Sequence, residues 1–231
     1  MGPGSLLECL QRLAVPIQSI RIDKGQPVPK DAQEFSGIVL LDSERSALES
    51  TQWIRAELSL CKESLTHDVS VLGLGYGAQL LAVAAGGSVA PSTSPSYGWT
   101  PSWLTQQAAS WFDVPVGLEI FNAYSHALDL PPEAESFLMD KRCKNKGFAL
   151  GSHMGLLCPL ELTPEALLAW CARKGTKMSQ AKGPDVQSRI SMQRALSERM
   201  DKLNLLATRE FTRWALQLPG APHPVDARLA A

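Results

Sequence analysis

Apolar and polar positions along the chain fall into helical and strand periods that alternate. "LLECLQRL", Leu6 to Leu13, carries its leucines at helical spacing, and "IQSIRI", Ile17 to Ile22, alternates as a strand does. The polar, Pro-rich "KGQPVPKDA" predicts a loop. The continuous apolar run from Gly37 to Leu41 predicts a strand buried on both faces. "SALESTQWIRAELSLCKES" then places Trp53, Ile54, Leu58 and Cys61 on one side of a helix. "DVSVLGL" predicts a second buried strand, followed by a glycine-lined turn and a small-residue helix, "AQLLAVAAGG", closed by Gly86 and Gly87.

Beyond this unit the pattern is more broken. Ser88 to Thr105 is rich in Ser, Pro and Trp and predicts irregular chain. "PVGLEIFNAY" and "SFLMDK" predict the strands of a hairpin-like insertion, and "KGFALGS" and "MGLLCPLE" two more strands. "TPEALLAWCARKG" has a helix start signal in Thr163 as N-cap, Pro164 at the first position and Glu165 in the first turn. Gly183 to Leu218 predicts one or two further helices, and "PGAPHPVDARLAA" a frayed tail.

Strands alternating with helices predict a three-layer α/β/α sandwich with a mostly parallel central sheet. "MGPGS" (residues 1–5) reads as a tag remnant, residues 6–218 as a single domain, and residues 219–231 as a flexible C-terminal tail. The pattern opens on a helix where this architecture would open on a strand. A first strand that is absent, or was trimmed away, would leave an open sheet edge able to pair with another chain.

Composition narrows the function classes. The chain has 231 residues, 45% hydrophobic and 19% charged, as expected of a globular protein with a full core. A net charge of −1 provides no field for nucleic acid or anionic membrane. There is no apolar run long enough to span a bilayer and no signal-peptide pattern. The five cysteines (Cys9, Cys61, Cys143, Cys158, Cys171) show no paired spacing, which suits free thiols in the cytoplasm. The four histidines (His67, His126, His153, His223) show no metal-ligand pattern, so no metal and no cofactor is expected.

The chemistry, if any, centres on "VLGLGYGAQLLA", Val71 to Ala82. Three readings of this turn stand. Gly73, Gly75 and Ala78 fit the dinucleotide-binding fingerprint, but that requires a charged residue about 20 positions on, and none occurs between Val69 and Phe112. Alternatively, Gly73 and Gly77 flank the apex of a nucleophile elbow whose apex residue is Gly75. Glycine accepts the strained apex dihedrals without the cost of a Cβ. The third reading is a tight turn in which the glycines serve only sterics.

The sequence resembles the class I, triad-type glutamine amidotransferases. Their elbow has the form G-[I/L]-C-x-G-x-Q, which stands here as Gly73-Leu74-Gly75-Tyr76-Gly77-Ala78-Gln79. Further similarity follows in order. "SGIVLLDSE" matches "DGIVLSGGP", "YGWTPSWLT" a "GW-x-P-x-x-LT" segment, and "FNAYSHALDLPPEAE" matches "FQWHGDTFDLPPGA". "NKGFALG" matches "NQAFRLG", and "GLLCPLELTPEALLAW" matches "GLQFHPEVTPELLRKW". The matches run from about Gln33 to Trp170. The resemblance implies a flavodoxin-like topology and an active site at the elbow.

It also implies a degenerate site lacking the catalytic Cys and His. The family's nucleophile falls at Gly75 and its histidine at Pro159, while the triad carboxylate is kept as Glu161. The family's oxyanion-binding glycines fall at Asp42 and Ser43, where a carboxylate would repel developing negative charge.

The resemblance therefore implies a pseudoenzyme that binds a protein partner, forms a homodimer, or holds a small ligand in the former glutamine cleft. The alternative is a repurposed enzyme performing different chemistry there on a small amide- or amino-acid-like substrate. Gly75, Tyr76, Gln79, Tyr124, His126 and Cys158 are the candidate binding residues, and Glu161 the remnant catalytic one. Each has a plainer reading. Glu161 would be an exposed or capping carboxylate near a helix start, Cys158 a buried apolar thiol, His126 a surface histidine, and Gln79 a packing residue. Trp99 and Trp103 would line a cleft or sit partly in the core.

Overall fold

Strands β1 (Gly37–Leu40) and β2 (Ser70–Leu74) pair in parallel, joined over helix α2 (Gln52–Thr66). The computed structural model describes residues 2–173 and 180–221. Every residue of β2 is buried, with Leu72 and Leu74 packed on one face and Val71 on the other. That two-faced burial is why the run is apolar throughout rather than alternating. At its end the chain turns into helix α3 (Tyr76–Ala84).

A 17-residue strand, β3 (Ser88–Leu104), follows, then helix α4 (Gln106–Phe112) and strand β4 (Gly117–Asp129). Strands β5 (Glu135–Asp140), β6 (Gly147–Leu150) and β7 (His153–Leu156) complete a seven-stranded sheet of order β1-β2-β7-β6-β5-β3-β4. The parallel part is β1-β2-β7; the remaining strands extend it antiparallel. Helices α2 and α3 cover one face. Helix α1 (Gly4–Arg12), α5 (Pro164–Ala172) and the long α7 (Leu196–Leu216) cover the other, with the short α6 (Arg189–Gln193) beside β3. The three layers are those expected, but the sheet is mixed rather than mostly parallel, because only β1, β2 and β7 are linked by helical crossovers while β3 to β6 pair antiparallel.

Four local expectations are corrected. Ser88 to Thr105 is not irregular: β3 pairs with β4 from Ser88 to Trp103, and a register shift between Pro91 and Ser96 takes up Pro95. "PVGLEIFNAY" and "SFLMDK" do not form a hairpin together, since β4 and β5 each pair with β3. Ile17 to Ile22 forms no strand, because no ladder partner lies beside it among the described residues. Gly4 and Ser5, set aside as tag-like, begin α1, where the Ser5 N–H donates to the Glu161 carbonyl at 3.0 Å. Most of the tail, residues 222–231, lies outside the described residues. No helix among the described residues is long and apolar enough to cross a membrane.

Candidate active site at the β2–α3 elbow

Gly75 stands at φ 55°, ψ −109°, a region that side-chain-bearing residues reach only under strain. Its flanks explain the other glycines. A Cβ on Gly73 would lie 2.6 Å from Gly77, and one on Gly77 would lie 2.1 Å from the Leu40 carbonyl oxygen. The sequence therefore builds a sharp strand-to-helix turn packed directly on β1. The Gly75 N–H donates to the Leu156 carbonyl at 2.7 Å, tying the turn to the end of β7.

The space above the apex is filled by another side chain. A Cβ on Gly75 would lie 2.0 Å from Asp42 Oδ1, and the same oxygen accepts the Tyr76 N–H at 3.0 Å. Asp42 thus sits at the N-terminus of α3, where unpaired backbone N–H groups and the helix dipole favour an anion. Burial is the largest influence on this carboxyl and raises its pKa, with the Tyr76 N–H pulling the other way.

Around Gly75 and Asp42 lies a cleft of about 80 Å³, also lined by Gln79, Tyr97, Tyr124, His126 and Trp170. Drug-sized ligand sites run to about 300–1,000 Å³ and a water occupies about 30 Å³. The cleft has room for a few waters. Of the sequence candidates it brings together Gly75, Gln79, Tyr124 and His126, the last 3.5 Å from the Ser125 hydroxyl through Nδ1.

The other candidates lie elsewhere. Tyr76 turns away, its hydroxyl donating to Glu57 at 2.8 Å and its ring against Trp53. Trp99 is core, its indole N–H donating to the Met192 carbonyl, and Trp103 is half exposed on β3. Cys158 is fully buried, with its thiol pushed up to about 12 by burial, and does not line the cleft. Gln79 also pins the loop after β1, accepting from the Ser46 hydroxyl and the Ala47 N–H, both at 3.2 Å.

Glu161 corrects its plainer reading. It is neither exposed nor a cap, since Thr163 caps α5. It is 1% exposed, and neither carboxyl oxygen has a hydrogen-bond partner among the described residues. Burial raises it to about 8, and nearby Asp42 adds to the rise. Glu210 on α7 is raised to about 8 by the same burial. Both carboxyls are therefore protonated in the fold at neutral pH, while their ordinary value is 4.5. Raising pH from about 4.5 ionises them in the unfolded chain first, so the stability they contribute is lost as pH climbs towards about 8 and levels off above it. Melting temperature should fall across that window, and Glu161→Gln should flatten the fall; an unchanged slope would contradict the assignment.

Comparison with solved structures places this geometry. A glutamine amidotransferase from Methylobacillus flagellatus superposes with a TM-score of 0.88 at 30% sequence identity, covering 96% of this chain and 93% of that one. The chain belongs to the class I glutamine amidotransferase-like family. A glutamine amidotransferase from Thermotoga maritima shares the fold, with a TM-score of 0.79 at 20% identity over 91% of both chains. Among curated proteins, γ-glutamyl peptidase 4 of Arabidopsis thaliana is 30% identical over 125 residues, which are 51% of this chain and 50% of that protein. The chain spans about half the length of the curated relatives it matches. No protein-family model matches it.

Within this amidotransferase fold the sequence reading missed a buried ionic network beside the cleft. Lys146 is fully buried, its ammonium donating to the Ser102 hydroxyl at 2.6 Å and to Asp140 Oδ2 at 3.3 Å. Tyr124, a cleft residue, donates to the same Asp140 oxygen at 3.0 Å. The N–H groups of Arg142 and Cys143 donate to the other oxygen. Burial pushes the Asp140 carboxyl up, but Lys146 and these N–H donors outweigh it and leave it below the usual range. Burial lowers the Lys146 ammonium. A lysine in "KNKGFALG" carries no periodic signal, so only the neighbouring strands reveal its burial.

Proposed function

We propose that this chain is a single glutamine amidotransferase-like domain, over residues 6–218, that does not perform thiolate glutaminase chemistry and serves as a binding module. The reading is carried by Asp42 standing over Gly75 and accepting the Tyr76 N–H. Glutamine hydrolysis by this family requires a thiolate to add to the side-chain amide. The C–S bond forms, the carbonyl electrons move to oxygen under N–H donation, and an imidazole hands a proton to departing ammonia. Gly75 supplies no thiol. Pro159, at the position the resemblance gives to the imidazole, supplies no proton. The N–H that follows the apex, a natural oxyanion donor, is held by a carboxylate.

The thiol closest in sequence to the lost histidine, Cys158, offers no substitute, since it is sealed in the core and held protonated. The small volume above the elbow weighs for a protein partner over a small ligand.

Purified protein incubated with glutamine, and separately with a γ-glutamyl dipeptide, should release ammonia or glutamate at the rate of buffer alone. Turnover above that rate, abolished by a thiol-alkylating reagent, would overturn the proposal.

A further inference from the structure

At the end of β2 opposite the elbow, the ladder to β7 starts one residue late. The two strands pair from Leu72 with Met154 to Leu74 with Leu156. Val71, one residue before this ladder, is fully buried, and its N–H donates to Nδ1 of the His153 ring at 3.3 Å. A buried N–H without an acceptor is costly, so the imidazole takes the place of a strand carbonyl. The carbonyl of neighbouring Ser152 is engaged elsewhere, accepting the Ser70 hydroxyl at 2.6 Å.

That contact fixes the state of the ring. A nitrogen that accepts a hydrogen bond carries no proton, so His153 is the neutral imidazole with its hydrogen on Nε2. Nε2 faces Asp68 Oδ1 at 3.7 Å, and the Ser152 hydroxyl donates to the same oxygen at 2.8 Å. Asp68 follows the end of α2 and is exposed, which brings solvent protons close to a buried ring. Of the titratable groups at that end, Glu63, His67 and Asp68, the last is the one whose charge acts on the ring. The strands on either side of β7, β2 and β6, carry no titratable side chain. Burial is the larger influence and lowers the ring below its ordinary value of 6.5, while Asp68 opposes the shift.

We propose that His153 is an acid-sensitive pin at the base of β2. The neutral ring holds the Val71 N–H; a second proton, on Nδ1, sets donor against donor and releases the start of the β2–β7 pairing. As pH falls through 6.5 the unfolded chain takes this proton first, so the stability the pin contributes is present above that value and is lost as pH drops to the lower folded one. Glu161 and Glu210 act in the opposite sense, since their contribution is lost as pH rises. The pin lies at the far end of β2 from Gly75, so it stands whether or not the elbow binds a partner.

The test is residue-resolved amide hydrogen exchange in the intact chain, corrected for the intrinsic pH dependence of exchange, together with nitrogen-15 spectra of the histidine rings. At about pH 7.5 the His153 ring should show a bare Nδ1 and a protonated Nε2. Between about pH 7.5 and about pH 5, protection of Val71 should fall about tenfold, while Gly73, inside the ladder, changes less than about threefold. His153→Asn, whose side-chain oxygen can stand where the ring has Nδ1 and does not titrate, should keep Val71 protected at both pH values. A proton on Nδ1 at the higher pH, protection of Val71 that does not change with pH, or a His153→Asn protein that loses protection as the native chain does would overturn the proposal. If His153→Asn does not fold, the ring spectra and the Val71 exchange of the native chain decide by themselves.

Discussion

Gly75→Cys is expected to destabilise the protein heavily and to restore no glutaminase activity. The apex dihedrals alone cost a side-chain-bearing residue about 1–3 kcal/mol. The new Cβ would also meet Asp42 Oδ1 at 2.0 Å and Cγ at 2.4 Å, far inside contact distance. Asp42 can move only by leaving the Tyr76 N–H, a charge-assisted bond of about 1.5–3 kcal/mol. Together these give a loss on the order of 3–5 kcal/mol. The measurement is urea unfolding of Gly75→Ala, Asp42→Ala and the double variant. Because one clash links the two positions, the double variant should be more stable than the sum of the singles predicts, with a coupling on the order of 1–3 kcal/mol. Strict additivity would show that Asp42 does not fill the apex. On the proposed reading, glutaminase activity is expected in neither background, since no imidazole stands at Pro159 to activate a thiol.

Lys146→Met should be the other large effect, about 3 kcal/mol of lost stability. Removing one partner of a buried pair leaves the other charge uncompensated, which costs about 3–5 kcal/mol in general. Here the lower end applies, because Asp140 keeps the Tyr124 hydroxyl and the N–H groups of Arg142 and Cys143. The denaturant midpoint should shift down with an unchanged slope. The double variant Lys146→Met, Asp140→Asn should recover much of the loss, and a double variant no better than the single would refute a paired role. Because Tyr124 lines the cleft through this network, its ring should show altered chemical shifts in Lys146→Met at temperatures where the variant is folded.

Local steric rules made the elbow legible. Glycines at positions 73, 75 and 77 between an apolar run and a small-residue helix leave few other structures available, and the structure uses all three for close approach or a positive φ. The start of α5 was equally readable, since Thr163, Pro164 and Glu165 act within a single turn and Thr163 accepts the Ala166 N–H as an N-cap does. Misreadings came where the outcome depended on a distant partner. The Ser- and Pro-rich segment became β3 because β4, 28 residues on in register at Ser96 and Tyr124 and 14 on at Trp103 and Gly117, supplies its ladder. Ile17 to Ile22 has the better strand pattern but no ladder partner among the described residues, so it forms no strand.

What the sequence determined by itself is the unit of strand, helix, strand and helix from Gly37 to Ala84, the turn at Gly75 and the absence of a thiol or imidazole at the two positions where the family resemblance expects them. These follow from backbone sterics, hydrophobic period and residue identity, all of them properties of neighbours along the chain. Only the tertiary structure decided that Asp42 occupies the apex, that Glu161 and Lys146 are buried, and that β1 is the terminal strand of the sheet among the described residues. Each of those depends on groups brought together from different strands, where burial and proximity set protonation and packing, and no period in the sequence encodes a contact between residues 42 and 75.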